Sequence, residues 1–289
     1  MNKSFTLIEI LVVIVVIGVL SAFILVGMSS ITSKANIARG QAFINSLDNS
    51  LLLARVSQWK LDESSVPTAY DSWGTNNGTL KEYGYAGVCD ATHCPQIKTT
   101  GCVSNNCLYF DGINDYVQLG TWDLTGVSRT VSFWFNSVIN PSSLSDNRPL
   151  SGNYFDVQIA AGNFQVLIWD TAFRTLTYPA SNFNANVWYN ISITSTTNNL
   201  KLYVDGVLRN ENSVFTLTSH PHNLNIGASY GGDARYLNCF LDDIRIYNQA
   251  IPTSQINQNY FIGANSLLIK GLISNQEYTQ RIINLSQKQ

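Results

Sequence analysis

Thr130-Val131-Ser132-Phe133-Trp134-Phe135 and Val187-Trp188-Tyr189-Asn190-Ile191-Ser192-Ile193-Thr194 are the runs on which the fold is read. Both are rich in β-branched and aromatic residues with alternation, the pattern of a strand buried on one face. Leu202-Tyr203-Val204-Asp205-Gly206-Val207-Leu208 places Asp-Gly between two such runs, and Asp-Gly suits the positive φ of a type I′ hairpin turn. Asp156-Val157-Gln158-Ile159 and Phe164-Gln165-Val166-Leu167-Ile168 make a second pair around a turn near Gly162-Asn163. Short strands with turn punctuation continue from about residue 56 to 247 without a helical insert. That pattern predicts an antiparallel β-sandwich.

The flanks read as helix. After Pro252, apolar residues at Ile256, Tyr260, Leu267 and Leu268 predict a helix over 253–269. Ser274-Asn275-Gln276-Glu277 is a capping box that opens a second helix over 275–286. Such a tail packs on the sandwich or the N-terminal helix, or makes a subunit contact. At the other end, residues 5–28 read FTLIEILVVIVVIGVLSAFILVGM, with Glu9 the one charge. About 24 apolar residues suffice to span a bilayer as a helix and exceed the apolar core of a signal peptide. A carboxylate in the apolar layer needs a partner, which a plain anchor does not supply. Ile31, Ala35, Ala38, Ala42, Leu47, Leu51 and Ala54 continue at helical spacing, and no proline occurs before Pro67. The expectation is one helix over 5–57, its membrane half at 5–28, then a β-domain over 58–250 and a helical tail over 251–289. The fold class is therefore α+β.

Composition narrows the function. The net charge is −2 and only 12% of the 289 residues are charged, so charge indicates no nucleic-acid partner. Asn, Ser and Thr dominate the polar positions, which suits an extracellular surface. Of five cysteines, Cys89, Cys94, Cys102 and Cys107 cluster, and Cys239 stands in an apolar strand pattern as a buried free thiol. The C-x4-C spacings stand at the upper end of zinc-knuckle spacing, and no second His joins His93, the one candidate for a further ligand. A segment beyond a membrane anchor is in an oxidising compartment, which favours disulfides over metal. Connectivity does not follow from sequence; the local pairings Cys89–Cys94 and Cys102–Cys107 are the expectation.

Lys3-Ser4-Phe5-Thr6-Leu7-Ile8-Glu9 resembles the prepilin N-terminal signature of type IV pilins and pseudopilins. The resemblance implies a leader over 1–4, removal of that leader by a prepilin peptidase between Ser4 and Phe5, and N-methylation of Phe5. Where the family usually carries Gly before the cut, this chain carries Ser4. Glu9 matches the carboxylate that sets helix registry: it would pair with the Phe5 amine of a neighbouring subunit, so two charges buried in apolar surroundings neutralise each other. The implied partners are other pilin subunits, in an inner-membrane pool that becomes an extracellular filament.

The order of the β-runs resembles the laminin-G-like, concanavalin-A-like jelly rolls. The pieces are Trp59-Lys60-Leu61-Asp62-Glu63, Asp71-Ser72-Trp73-Gly74, Tyr109-Phe110-Asp111-Gly112-Ile113-Asn114-Asp115-Tyr116-Val117, the two Trp runs, and Leu241-Asp242-Asp243-Ile244-Arg245-Ile246-Tyr247. This resemblance implies a structural calcium between opening loop and last strand, held by Asp71 and Asp242. Alternation puts Asp242 on the inward face with Ile244 and Ile246; the competing role is a turn cap or an Arg partner. Asp111, Asn114 and Asp115 read as a second acidic loop or simply a turn. The five Glu residues form no glucanase Glu-x-Asp-x-x-Glu motif, and His93, His220 and His222 stand in no recognisable nucleophile context, so the chain is read as no enzyme. The expected function is a pilin-like subunit displaying a lectin-like head that binds a glycan or surface protein. The alternatives are a minor pseudopilin of a type II secretion or DNA-uptake machine, and a membrane-tethered glycoside hydrolase. Candidate glycan platforms are Trp73, Tyr83, Tyr85, Trp122, Trp169 and Tyr230, with Gly231-Gly232-Asp233 as a flexible loop.

Overall fold

The computed structural model describes residues 7–8, 11–16, 54–90, 92–126, 128–169, 172–213 and 218–286. The chain divides into two units, Met1–Leu53 and Ala54–Gln289. In the first, residues 7–8 and 11–16 are helical, with exposed side chains. Ser4, Phe5, Glu9 and the rest of the expected helix up to residue 53 lie outside the described residues. Among the described residues no helix is long and apolar enough to cross a membrane. The predicted helix end at Ser57 is corrected: Arg55–Trp59 is a strand, β1, paired with the last strand of the sandwich. Partners distant in sequence override the helical spacing there.

Sixteen strands, numbered along the chain, form two eight-stranded sheets among the described residues, and every pairing is antiparallel. The first runs β14 (Val207–Asn212), β13 (Asn199–Val204), β12 (Tyr189–Thr196), β7 (Arg129–Ser137), β16 (Asn238–Tyr247), β5 (Cys107–Asp111) and β4 (Gln96–Lys98), with β1 also on β16. The second runs β11 (Phe173–Pro179), β10 (Asn163–Trp169), β9 (Phe155–Ala160), β8 (Asn147–Gly152), β15 (His222–Ile226), β6 (Asp115–Trp122), β3 (Gly78–Glu82) and β2 (Thr68–Ala69). The alternation read from sequence places Phe133, Phe135, Val157, Phe164, Ile191 and Ile193 in the core, each at most 2% exposed. Full burial of one such side chain stabilises by about 1.5–3 kcal/mol. Both expected hairpins have two positive-φ residues at the turn, Asp205 (52°) with Gly206 (76°) and Ala161 (51°) with Gly162 (74°), as a type I′ turn requires.

β16 departs from simple alternation. Cys239 and Leu241 face the core, but so do Ile244 and Ile246. The phase changes at Asp243, whose φ is 47° and where the register with β7 breaks. A bulge of one residue moves every later side chain to the other face. Asp242 is therefore not on the face of Ile244 and Ile246. It pairs across to Trp134, on the outer side of the first sheet.

That outer side is covered by the tail. Helices α1 (Thr253–Ile269) and α2 (Asn275–Ser286) have the bounds expected from sequence. Tyr260 stacks on Trp134 with ring centroids 5.7 Å apart, and Trp188, Val207, Leu267 and Leu285 complete a second core. The Leu272 N–H donates to the Leu267 carbonyl and the Gly271 N–H to Leu268. This is a Schellman end, for which Gly271 supplies φ +69°. The Glu277 N–H donates to Ser274 Oγ at 3.1 Å, capping α2.

Candidate functional site

In β9, Phe155, Val157 and Ile159 point into the core, so Asp156 and Gln158 point away from it. Antiparallel register then aligns outward residues from neighbouring strands. Thr175, Leu167, Asp156, Ser151, Asn225, Gln118 and Thr79 stand opposite one another in turn across seven strands of the second sheet. Most of this lane is polar, yet its centre is buried: Asp156 is 8% exposed, Ser151 0% and Asn225 1%. Arg148 forms an ion pair with Asp156, whose carboxylate also accepts from the Ser151 hydroxyl. Gln158 Nε2 donates to Gln165 Oε1 at 2.5 Å. The 229–236 loop folds over one side, held by Asn225 Nδ2 donating to the carbonyls of Ser229 (2.8 Å) and Tyr230 (3.0 Å).

Two polar atoms of this face are buried without a hydrogen-bond partner among the described residues, Gln158 Oε1 and Asn225 Oδ1; His222 Nε2, also unpartnered, lies on the core side of the sheet against Gly152. Such atoms carry an unmet demand of about 1–3 kcal/mol each, which a ligand hydroxyl or ordered water satisfies. His222 Nδ1 faces the His220 carbonyl, which selects the Nδ1–H tautomer and leaves Nε2 as an acceptor. Burial holds the imidazole pKa below its usual value. Aromatic rings frame the lane. At the His222 end Tyr154 stacks on His220 with centroids 4.2 Å apart, beside Trp169 and Phe173. At the other end burial, and then the charge of Asp233, pushes the Tyr236 hydroxyl up to about 12, with Tyr83 and Tyr116 close enough to add to the shift.

The expected platforms separate into two groups. Trp122 packs edge-on against buried Trp59 and belongs to the core. Trp73 is 40% exposed, lies under the Arg55 guanidinium and donates to the Arg55 carbonyl. Trp169 and Tyr230 flank the lane, and Asp233 accepts from Ser229 Oγ within its loop. Tyr83 and Tyr85 are exposed near its Tyr116 end. The lane itself escaped sequence reading. Each of its residues is an ordinary outward polar position, and only the pairing register joins them.

Asp71 and Asp242 do not form one site. Asp71 Oδ1 accepts the N–H groups of Gln58, Trp73 and Gly74, and Oδ2 accepts that of Asn76. Burial opposes its ionisation, but these donors outweigh it and hold the carboxyl below its usual pKa. Asp71 is thus the cap of its loop. Asp242 is fully buried; Oδ2 accepts from Ser104 N at 2.8 Å and Oδ1 has no partner among the described residues. Burial raises its pKa well above the usual carboxylate range. This donor set does not fit a calcium ion shared by the two carboxylates, since Asp71 is saturated by N–H donors. Cys89 is joined to Cys94 and Cys102 to Cys107, while Cys239 is a buried free thiol.

Residues 111–257 match the family model described as Concanavalin A-like lectin/glucanases superfamily, and residues 1–25 match the Prokaryotic N-terminal methylation motif. No curated protein matches the chain in sequence. Among solved structures, the chain is similar to the botulinum neurotoxin serotype D binding domain, with TM-score 0.56 and 16% identity over 73% of this chain and 52% of that one. It is similar to the binding domain of Paraclostridial Mosquitocidal Protein 1, with TM-score 0.55 and 16% identity over 74% and 53%. A third is the botulinum neurotoxin serotype D ligand binding domain in complex with N-Acetylneuraminic acid, with TM-score 0.55 and 17% identity over 73% and 52%. The chain spans about half the length of these structures, and at such identity the likeness is one of fold.

Proposed function

The chain belongs to the Concanavalin A-like lectin/glucanases superfamily, and from that premise we propose that it is a type IV pilin-like filament subunit whose sandwich binds a surface glycan in the polar lane of the second sheet. The carrying observation is the lane itself: aligned, buried polar side chains with two unmet polar atoms, flanked by exposed rings. Saccharides offer what that surface asks for, hydroxyls for the polar atoms and C–H faces for the rings. The neighbouring toxin domain solved with N-Acetylneuraminic acid supports a glycan as the ligand class. The methylation motif supports the filament half of the reading. Cleavage before Phe5 creates an amine that Glu9 of a neighbouring subunit neutralises, which gives register to helices that share only apolar surface. The one carboxylate in the lane, Asp156, is held by Arg148 and Ser151. That engagement suits a binding role better than acid–base chemistry.

The test uses sheared surface filaments. Mass spectrometry should find this chain beginning at N-methyl-Phe5, and the filaments should bind saccharides on an array. Gln158→Ala should weaken that binding about tenfold by removing a hydrogen-bonding group, and Gln118→Arg should block it. An intact Met1 sinks the filament half; an array signal indifferent to both variants sinks the groove.

A further inference from the structure

Thr79 and Tyr116, at one end of the lane, also line a cleft of about 460 Å³ walled by Glu82, Tyr83, Tyr85 and the Cys89–Cys94 disulfide. Tyr83 is 54% exposed, and Tyr85 lies flat on His93 with centroids 4.0 Å apart. Asp90 fixes His93, accepting from its backbone N–H at 2.9 Å and contacting its ring Nδ1 at 3.0 Å. A second cleft of about 200 Å³ shares Glu82 and Cys94 with the first and adds Asp111, Asn114 and Asp115.

Among the described residues the small cleft holds three carboxyl groups and no basic side chain. The nearby Lys98 is turned onto Gln96 and the Tyr109 ring. Among the described residues, every donor that the three acids accept from is neutral. Glu82 takes Asn114 Nδ2 at 2.9 Å and Cys94 N at 3.2 Å, and Asp111 takes Ile113 N at 2.8 Å. Asp115 is only 3% exposed. Its Oδ2 receives the Asp111 N–H at 3.3 Å, and the residue lines the cleft. The β3–β6 pairing sets Glu82 directly opposite Asp115, and like charges so placed repel. Burial, and then the Asp111 charge, raises the Asp115 carboxyl to about 7.

We propose that the small cleft seats a primary ammonium group, and that the glycan of the lane is one bearing a free amine, with its sugar ring against Tyr83 and Tyr85. This rests on the glycan reading and narrows it to a substrate class. A divalent cation needs oxygens that converge on one point, whereas the Glu82 oxygens already face Asn114 and Cys94. Among the described residues no three acidic, His or Cys side chains are placed to hold a metal. An ammonium brings three N–H donors and tolerates acceptors spread around it. A lysine side chain would supply the same ammonium but leave the tyrosine faces uncovered, whereas an amino sugar carries amine and ring together.

The experiment is isothermal titration of the full chain in detergent micelles with a glucosamine oligomer and its N-acetylated counterpart. The free-amine oligomer should bind about tenfold tighter, the scale of one hydrogen bond to a charged group. Asp115→Asn and Glu82→Gln, both isosteric, should each remove that preference without lowering the melting temperature or the affinity for the acetylated oligomer. Equal affinity for the two oligomers overturns the ammonium seat. A lysine peptide that binds as tightly overturns it in favour of a protein partner, and hydrolysis of the oligomer overturns it in favour of catalysis. Equal affinity that Gln158→Ala abolishes for both oligomers leaves the lane standing while the amine falls. If no saccharide binds at all, the lane falls too.

Discussion

Gly263→Ala tests whether the C-terminal tail is part of the head. Gly263 lies inside α1, where alanine ordinarily stabilises a helix by about 1 kcal/mol. A Cβ built there would stand 2.2 Å from Trp134 Cζ2, 2.5 Å from Cε2 and 2.8 Å from Nε1. Carbon atoms normally rest about 3.5–4.0 Å apart, so the ring or the helix must move by more than an ångström. The ring has little room: Trp134 is 1% exposed, sits on β7 between β12 and β16, and is stacked by Tyr260 of α1 itself. Overpacking of this kind costs about 1–3 kcal/mol or more, and here it is set against the helix gain. A 2.2 Å approach to a fixed ring calls for the upper end of that range, so a net loss of about 2 kcal/mol follows, a fall of roughly 4–8 °C in melting temperature for a domain of this size. The assay is thermal melting of the full chain followed by tryptophan fluorescence, with Gly271→Ala alongside. Gly271 has nothing within 4 Å of a built Cβ and only its φ of +69° to lose, so its cost is about 1 kcal/mol from backbone strain alone. Pairing Gly263→Ala with Trp134→Phe should cost less than the sum of the two, because the smaller ring frees the space. A Gly263→Ala variant as stable as the parent, or stabilised by the helix gain, refutes the packing of α1 on Trp134.

Two further outcomes follow from the buried groups. Asp242 and Asp115 both have raised pKa values, Asp115 to about 7 from 3.8. The folded state therefore keeps protons that the unfolded chain gives up above pH 3.8. Stability is fully present below that pH and declines as pH rises, for Asp115 through about 7. Asp242→Asn and Asp115→Asn should raise the melting temperature at pH 8 and leave it nearly unchanged at pH 4; melts across that range decide it, and parallel curves for variant and parent would count against the burial argument. Replacing Cys89 and Cys94 by serine should cost about 2 kcal/mol, the scale for a short disulfide loop, while Cys239, whose thiol is pushed up to about 12 by burial, should react with a thiol reagent only once the chain is unfolded by denaturant.

How much of this was legible follows from the range over which each feature is decided. The Asp205-Gly206 turn, the Ser274 cap and the bounds of α1 and α2 depend on neighbours within a few residues, and they read directly. The end of the N-terminal helix did not, because Arg55–Trp59 joins β16 nearly 190 residues away in the chain, and helical spacing carries no trace of that partner. The face of Asp242 was misread for a different reason. One residue at positive φ, Asp243, shifts the phase of the strand, and neither Asp in the pair announces which of them bulges. The candidate site sits at the far end of this scale. Asp156, Ser151, Asn225 and Gln118 come from four strands spread over more than a hundred residues, and each alone satisfies the ordinary rule that outward positions are polar. What marks them is burial, and that is a property of the assembled sheet and the 229–236 loop that folds over it. A surface polar residue is uninformative; the same residue withdrawn from water with an unmet acceptor is a demand for a partner. The order of pieces along the chain was sufficient to read the superfamily, whereas the ligand class had to wait for the register.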